Sequence, residues 1–155
     1  MSVVESKLVE LGYTLPSPPE PIGNYRAAAR SGKVMWMSGV GSRRADGLTI
    51  SGKLGADLTV EQGYEAARWC ALNLLARMKV ELGDLDRVTG IIKVVGMVNS
   101  SPDFEEQAKV VDGASDLFVE LFGEAGRHGR SAPGMAVLPK NTAVIVDCVI
   151  EIAEG

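Results

Sequence analysis

The chain contains only one histidine and two cysteines, and Cys70 and Cys148 fit no metal or redox spacing. Cys70 falls within a helical pattern and Cys148 on an apolar strand face, so both read as small core residues. No run of about eighteen apolar residues is present, so no helix is expected to span a membrane. Met1 to Leu11 carries Glu5 and Glu10 and lacks an apolar signal core, so secretion is not expected and a cytoplasmic location is. Basic residues are not in excess either: 16 Lys and Arg stand against 20 Asp and Glu, a net charge of −4. Neutralising phosphates needs a basic surface, so nucleic acid is not an expected partner. The sequence has no Ser-His-Asp order and no phosphate loop, and Gly39-Val40-Gly41 is too short for a dinucleotide fingerprint. No cofactor or metal is expected.

What remains is an ordinary globular composition. Apolar residues make up 46% of 155, enough for one core and one domain over residues 1–155. Residues 1–21 form an N-terminal extension. It comprises a short helix over 3–11, with Val4, Leu8 and Leu11 on one side, and a proline-rich strap from Leu15 to Pro21. Tyr25–Arg30 and Lys33–Ser38 read as two strands joined at Ser31-Gly32, and residues 39–57 as a loop with one short strand near Leu48–Ser51. Thr59 and Gln62 fit a capping box that opens a helix over about 60–82, ended by Gly83. Its buried stripe is Val60, Tyr64, Ala67, Ala71, Leu74, Leu75 and Met78. Val88–Val98 is a strand with Val88, Ile92, Val94 and Val98 toward the core. Ser101-Pro102-Asp103 reads as cap, first-turn proline and first-turn acid of a second helix, which stops at Gly123. Arg130–Leu138 and Ala143–Ile152 close the sheet.

The fold class is therefore α+β: a mixed sheet with two main helices on one face. Two helices leave the other face open. On the last strand Val144, Val146, Cys148, Ile150 and Ile152 form the apolar stripe, and Ala143, Ile145, Asp147, Val149 and Glu151 face the opposite way. Three apolar residues on a face that should be solvated argue for burial between subunits.

The run from Gly129 to Pro139 carries the most chemical information. Period two puts Arg130 on one face with Ala132, Gly134 and Ala136, a fixed cation beside residues with no bulk. A guanidinium fork matches a carboxylate bidentately, so this is a candidate anion pocket, with a surface arginine beside a turn as the plainer alternative. His128 could act as a base near Arg130, or be a solvated loop residue. Trp36 and Trp69 read as core or interface aromatics.

Arg130-Ser131, Leu138-Pro139 and the terminal strand resemble the signature of the Rid family, the YjgF-like reactive-intermediate deaminases often labelled endoribonuclease L-PSP. Ile22-Gly23-Asn24-Tyr25, Met37-Ser38-Gly39 and Val98 to Phe104 resemble further family segments in the expected order, so the likeness covers about residues 22–152. The N-terminal extension and Gly52 to Leu58 suggest a longer, divergent branch. The resemblance implies a chorismate-mutase-like fold, a homotrimer and three sites between subunits. It implies that Arg130 binds a ligand carboxylate. Ser38 and Gly39 would supply a hydroxyl and a backbone N–H, and Tyr25 would wall the site. Ala132 stands where the archetype has a cysteine. The archetype's water-handling glutamate falls at Ile145, which cannot accept a proton. No catalytic residue is therefore assigned; Asp147, two residues on along the same face, could stand in only if the pocket is displaced, and the plainer expectation is that it pairs with a base across a subunit boundary. The expected function is recognition of a small carboxylate-bearing metabolite by a homotrimer. The alternative is a hydrolase acting on imines or enamines, and a ribonuclease is a distant third.

Overall fold

The structure is a computed structural model that describes residues 1–155. The elements, in order, are α1 (Val3–Glu10), β1 (Ala28–Ser31), β2 (Val34–Gly41), α2 (Val60–Leu82), β3 (Val88–Asn99), α3 (Gln107–Phe122), β4 (Gly129–Ser131), β5 (Gly134–Met135) and β6 (Val144–Ile152). One mixed sheet runs β1-β2-β6-β3-β4, and β5 also pairs with β3. β4 and β5 run parallel to β3; the other pairings are antiparallel. No helix is long and apolar enough to cross a membrane.

The two long helices cover one sheet face. Thr59 and Gln62 form the reciprocal capping box of α2, and Gly83 ends it in the left-handed conformation. α3 lies so close to α2 that a Cβ on Gly113 would fall 1.9 Å from the Tyr64 carbonyl oxygen, so only glycine permits this approach. Beneath the helices, Val144, Val146, Cys148, Ile150 and Ile152 are all buried, as their alternation requires. Both cysteines are buried and free, and burial pushes their thiols well up.

Several expected boundaries move. α1 ends at Glu10, and Leu11 is exposed rather than packed with Val4 and Leu8. The first strand begins at Ala28, so Tyr25 lies in a bend before it, and the hairpin turn is Gly32-Lys33. Residues 48–51 make only isolated bridges, Thr49 with Arg43 and Ser51 with Thr142. On β3 the pairing with β6 slips twice, so Ile91 rather than Ile92 faces the core and Ile92 is exposed. An extra residue at each bulge reverses the parity that a strict period of two assumes. Ser101 caps no helix. Its hydroxyl donates to Asp103 Oδ1 in a local turn, and α3 starts six residues later. The expected strand Arg130–Leu138 is two short strands interrupted at Ala132-Pro133, because proline has no N–H for a ladder.

Candidate functional site

A bulge in β2 builds the site. Met37 pairs with Cys148 and Val40 with Val146, so three steps on β2 match two on β6 and the ladder slips around Ser38-Gly39. Ser38 turns back toward the preceding segment, its N–H donating to the Ala27 carbonyl at 2.9 Å and its hydroxyl to the Arg26 carbonyl at 2.6 Å. Its oxygen keeps a lone pair for a ligand donor. Gly39 lies directly against β6, where an added Cβ would meet Ile145 Cγ2.

Beside this bulge a cleft of about 420 Å³ opens between the sheet end, the proline-rich strap and the turn Pro139–Asn141. Tyr25, Ser38, Gly39 and Ile145 line it together. The turn is held in an unusual conformation, with Lys140 and Asn141 both at positive φ (54° and 58°). Two non-glycine residues there cost of order 1–2 kcal/mol each, so the surroundings must compensate. Buried Asn99 does so, donating through its amide to Asn141 Oδ1 at 3.0 Å and to the Gly52 carbonyl at 3.2 Å, while accepting from Lys53 Nζ at 2.9 Å. The result presents Lys140 at the cleft.

Three cations that were not singled out in the sequence line the same cleft: Arg43, Arg77 and Lys140. Arg43 and Lys140 make no ion pair within the chain. Lys140 follows directly on the Leu138-Pro139 motif, which could have flagged it. Arg77 could not have been found, because a helical arginine in the row Asn73, Arg77, Glu81 reads as solvated, yet it is only 6% exposed.

Arg130 and Ala132 lie elsewhere in the chain. β4 is at the far edge of the sheet, separated from β2 by β6 and β3, a lateral span of about 14 Å at the usual strand spacing. The Arg130 side chain turns toward α3. Nη1 donates to Asp112 Oδ1 at 2.7 Å and Ser115 Oγ at 3.1 Å, and Nη2 to the Ala108 carbonyl at 3.4 Å. Ala132 packs against the core. A cavity of about 510 Å³ does open beside Gly134 and Ala136, but Arg130 does not line it, because its side chain is taken up by α3.

His128 completes this second cluster. Its Nδ1–H donates to the Gly126 carbonyl at 2.7 Å, which leaves Nε2 to accept from the Ser115 hydroxyl at 2.9 Å. Phe118 packs edge-on against the ring. Burial, and secondarily the Arg130 charge, hold the His128 pKa below its ordinary value. Asp147, on the open face beside Ile145, has its carboxyl pKa raised by burial and makes no ion pair within the chain.

The model of the family described as YjgF/chorismate mutase-like, putative endoribonuclease, matches residues 5–152. The chain belongs to this family. It is 46% identical over 158 residues to Protein TCP17 of Trypanosoma cruzi, covering 98% of this chain and 99% of that one. It superposes with a TM-score of 0.92 on a putative endoribonuclease from Shewanella oneidensis, 38% identical over 96% of this chain and 99% of the other. Escherichia coli TdcF, solved with bound serine, shares the fold at a TM-score of 0.60 and 22% identity, covering 88% of this chain and 94% of that one. The expected YjgF-like membership and chorismate-mutase-like fold are thus established for this α+β chain.

Proposed function

We propose that the chain forms a homotrimer that binds a small carboxylate-bearing metabolite in the Tyr25–Ser38–Gly39 cleft, at a boundary between subunits. The observation that carries this reading is the cleft itself. It combines a hydroxyl, a glycine backbone, an aromatic wall and unpaired cations at one end of the sheet of a chain with net charge −4. That arrangement suits a small anion with an apolar body. TdcF, a fold relative, was solved with an amino acid bound, which is a ligand of this class. The subunit boundary is supported by two features. The open sheet face carries exposed Trp36 and Ile92 around Val149, and the Arg130 strand of the same chain lies too far from the cleft to contribute. A neighbouring copy's strand edge would supply it.

Binding without deamination is the favoured form of this reading. Ile145 occupies the position where the archetype handles water, and the cleft holds no proton acceptor beside it other than Glu20 on the strap. A thermal-shift screen against 2-oxo acids tests the binding. A ligand at a hundred times its Kd stabilises by about 2.7 kcal/mol. The reading fails if no small carboxylate shifts the melting temperature at millimolar concentration.

A further inference from the structure

Arg77 is the least expected feature of the cleft. It projects from α2 and is only 6% exposed. Its Nε is buried with no hydrogen-bond partner. Nη2 donates to the Pro19 carbonyl at 2.6 Å and pairs with the Glu20 carboxylate at 3.1 Å. Glu81 stands 3.7 Å from Nη1. Glu20 is 78% exposed and sits on the proline-rich strap, so it is free to leave, whereas Arg77 is fixed in the wall. Leaving a buried guanidinium short of partners is costly, and a carboxylate is the group that fits its fork. Arg43 and Lys140 add two more cations on the same cleft, neither with an anion of its own in the chain.

A single ligand carboxylate at Ser38-Gly39 does not need these three charges. The geometry points to a second anion subsite formed by Arg77, Arg43 and Lys140, which selects dicarboxylate over monocarboxylate ligands. Glu20 is the internal carboxylate that the ligand's second acid displaces. This rests on the cleft being a carboxylate site, and it specifies the substrate class. The Pro19 carbonyl keeps its hold on Arg77 when Glu20 is released, so the strap stays in place while the carboxylate is exchanged.

Calorimetric titration of the full chain with succinate and with propionate, at constant ionic strength, tests the subsite. Succinate is expected to bind about tenfold more tightly, the worth of roughly one charge-assisted hydrogen bond. Arg43→Ala, at an exposed position, should remove most of that preference by weakening succinate far more than propionate. Glu20→Gln, also exposed, should widen it by removing the competitor. Equal affinities for the two acids, unaltered by either substitution, would overturn the second subsite while leaving the cleft reading intact. Inorganic phosphate displacing succinate with equal affinity would overturn the assignment to carboxylates. Failure of both acids to bind would overturn the cleft reading and the subsite together.

Discussion

Gly39 and Ile145 meet across the β2–β6 ladder so closely that a Cβ on Gly39 would lie 2.9 Å from Ile145 Cγ2. The isoleucine methyl thus fills the floor of the cleft where a reactive water would need a polar partner. Loss of a positioned acid or base typically costs on the order of 10²–10⁴-fold in rate. Hydrolysis of a 2-imino acid, which adds water and releases a 2-oxo acid and ammonia, is therefore expected to proceed no faster with the parent protein than without it. Ile145→Glu is the substitution expected to create this activity. Ammonia release from a freshly generated 2-imino acid, compared between parent, variant and buffer, measures it. Assembly of the variant must be confirmed first, because an unpaired acid in an interface can cost several kcal/mol. Rapid release by the parent would contradict this account.

Arg130 is held by Asp112 and Ser115 through Nη1, and the Asp112 carboxylate competes with any ligand of a neighbouring copy for the guanidinium's charge and its remaining N–H groups. Asp112→Asn should free the guanidinium and raise carboxylate affinity several-fold. Its stability cost should be within about 1 kcal/mol, since the Asp112 side chain is 46% exposed. Arg130→Ala should abolish binding, and Arg130→Lys should be nearly as harmful because a point charge lacks the fork. Isothermal titration combined with urea denaturation separates the two effects. Unchanged affinity in the alanine variant would place carboxylate binding entirely on the cleft cations.

His128 makes stability depend on mildly acid pH. In the fold its pKa is lowered from 6.5, chiefly by burial. The unfolded chain therefore binds a proton more readily than the folded one, and stability is lost as the pH falls from the unfolded value through the folded one. His128→Gln should flatten this part of the profile and leave the slope below it, which belongs to carboxylates. Unfolding midpoints between pH 7.5 and 5 give the comparison. An identical slope in parent and variant would show that His128 remains as easily protonated as in the unfolded chain.

The open face predicts assembly. Trp36 pairs in register with Val149 and is 48% exposed in the single chain. Trp36→Glu should convert a trimer into monomers that keep their circular dichroism, because the side chain takes no part in the helix-covered core. Light scattering at micromolar concentration reads the mass directly. A monomeric parent would contradict the proposed subunit boundary.

Much of this architecture was legible in the sequence because its signals were local. The Thr59–Gln62 box, the Gly83 and Gly123 stops and the alternation from Val144 to Ile152 each reflect contacts within a few residues. The misplaced features were set only in part by long-range pairing. The Ile91/Ile92 exchange comes from a bulge against β6, whereas the break at Ala132-Pro133 has a local cause, the proline's missing N–H, that the sequence displayed. Of the candidate site residues, Tyr25, Ser38 and Gly39 line one cleft, while Arg130 and Ala132 do not join them within one chain. Arg77 was illegible because its burial depends on a strap 58 residues away in sequence.

A crystal structure with 2-oxobutyrate present at saturating concentration tests the central claim most directly. The account predicts a trimer with the ligand's carboxylate in the cleft lined by Tyr25, Ser38 and Gly39, and its carbon chain against Ile145. A ligand found away from all four residues, or none at saturation in a trimer whose cleft is open to solvent, would contradict it.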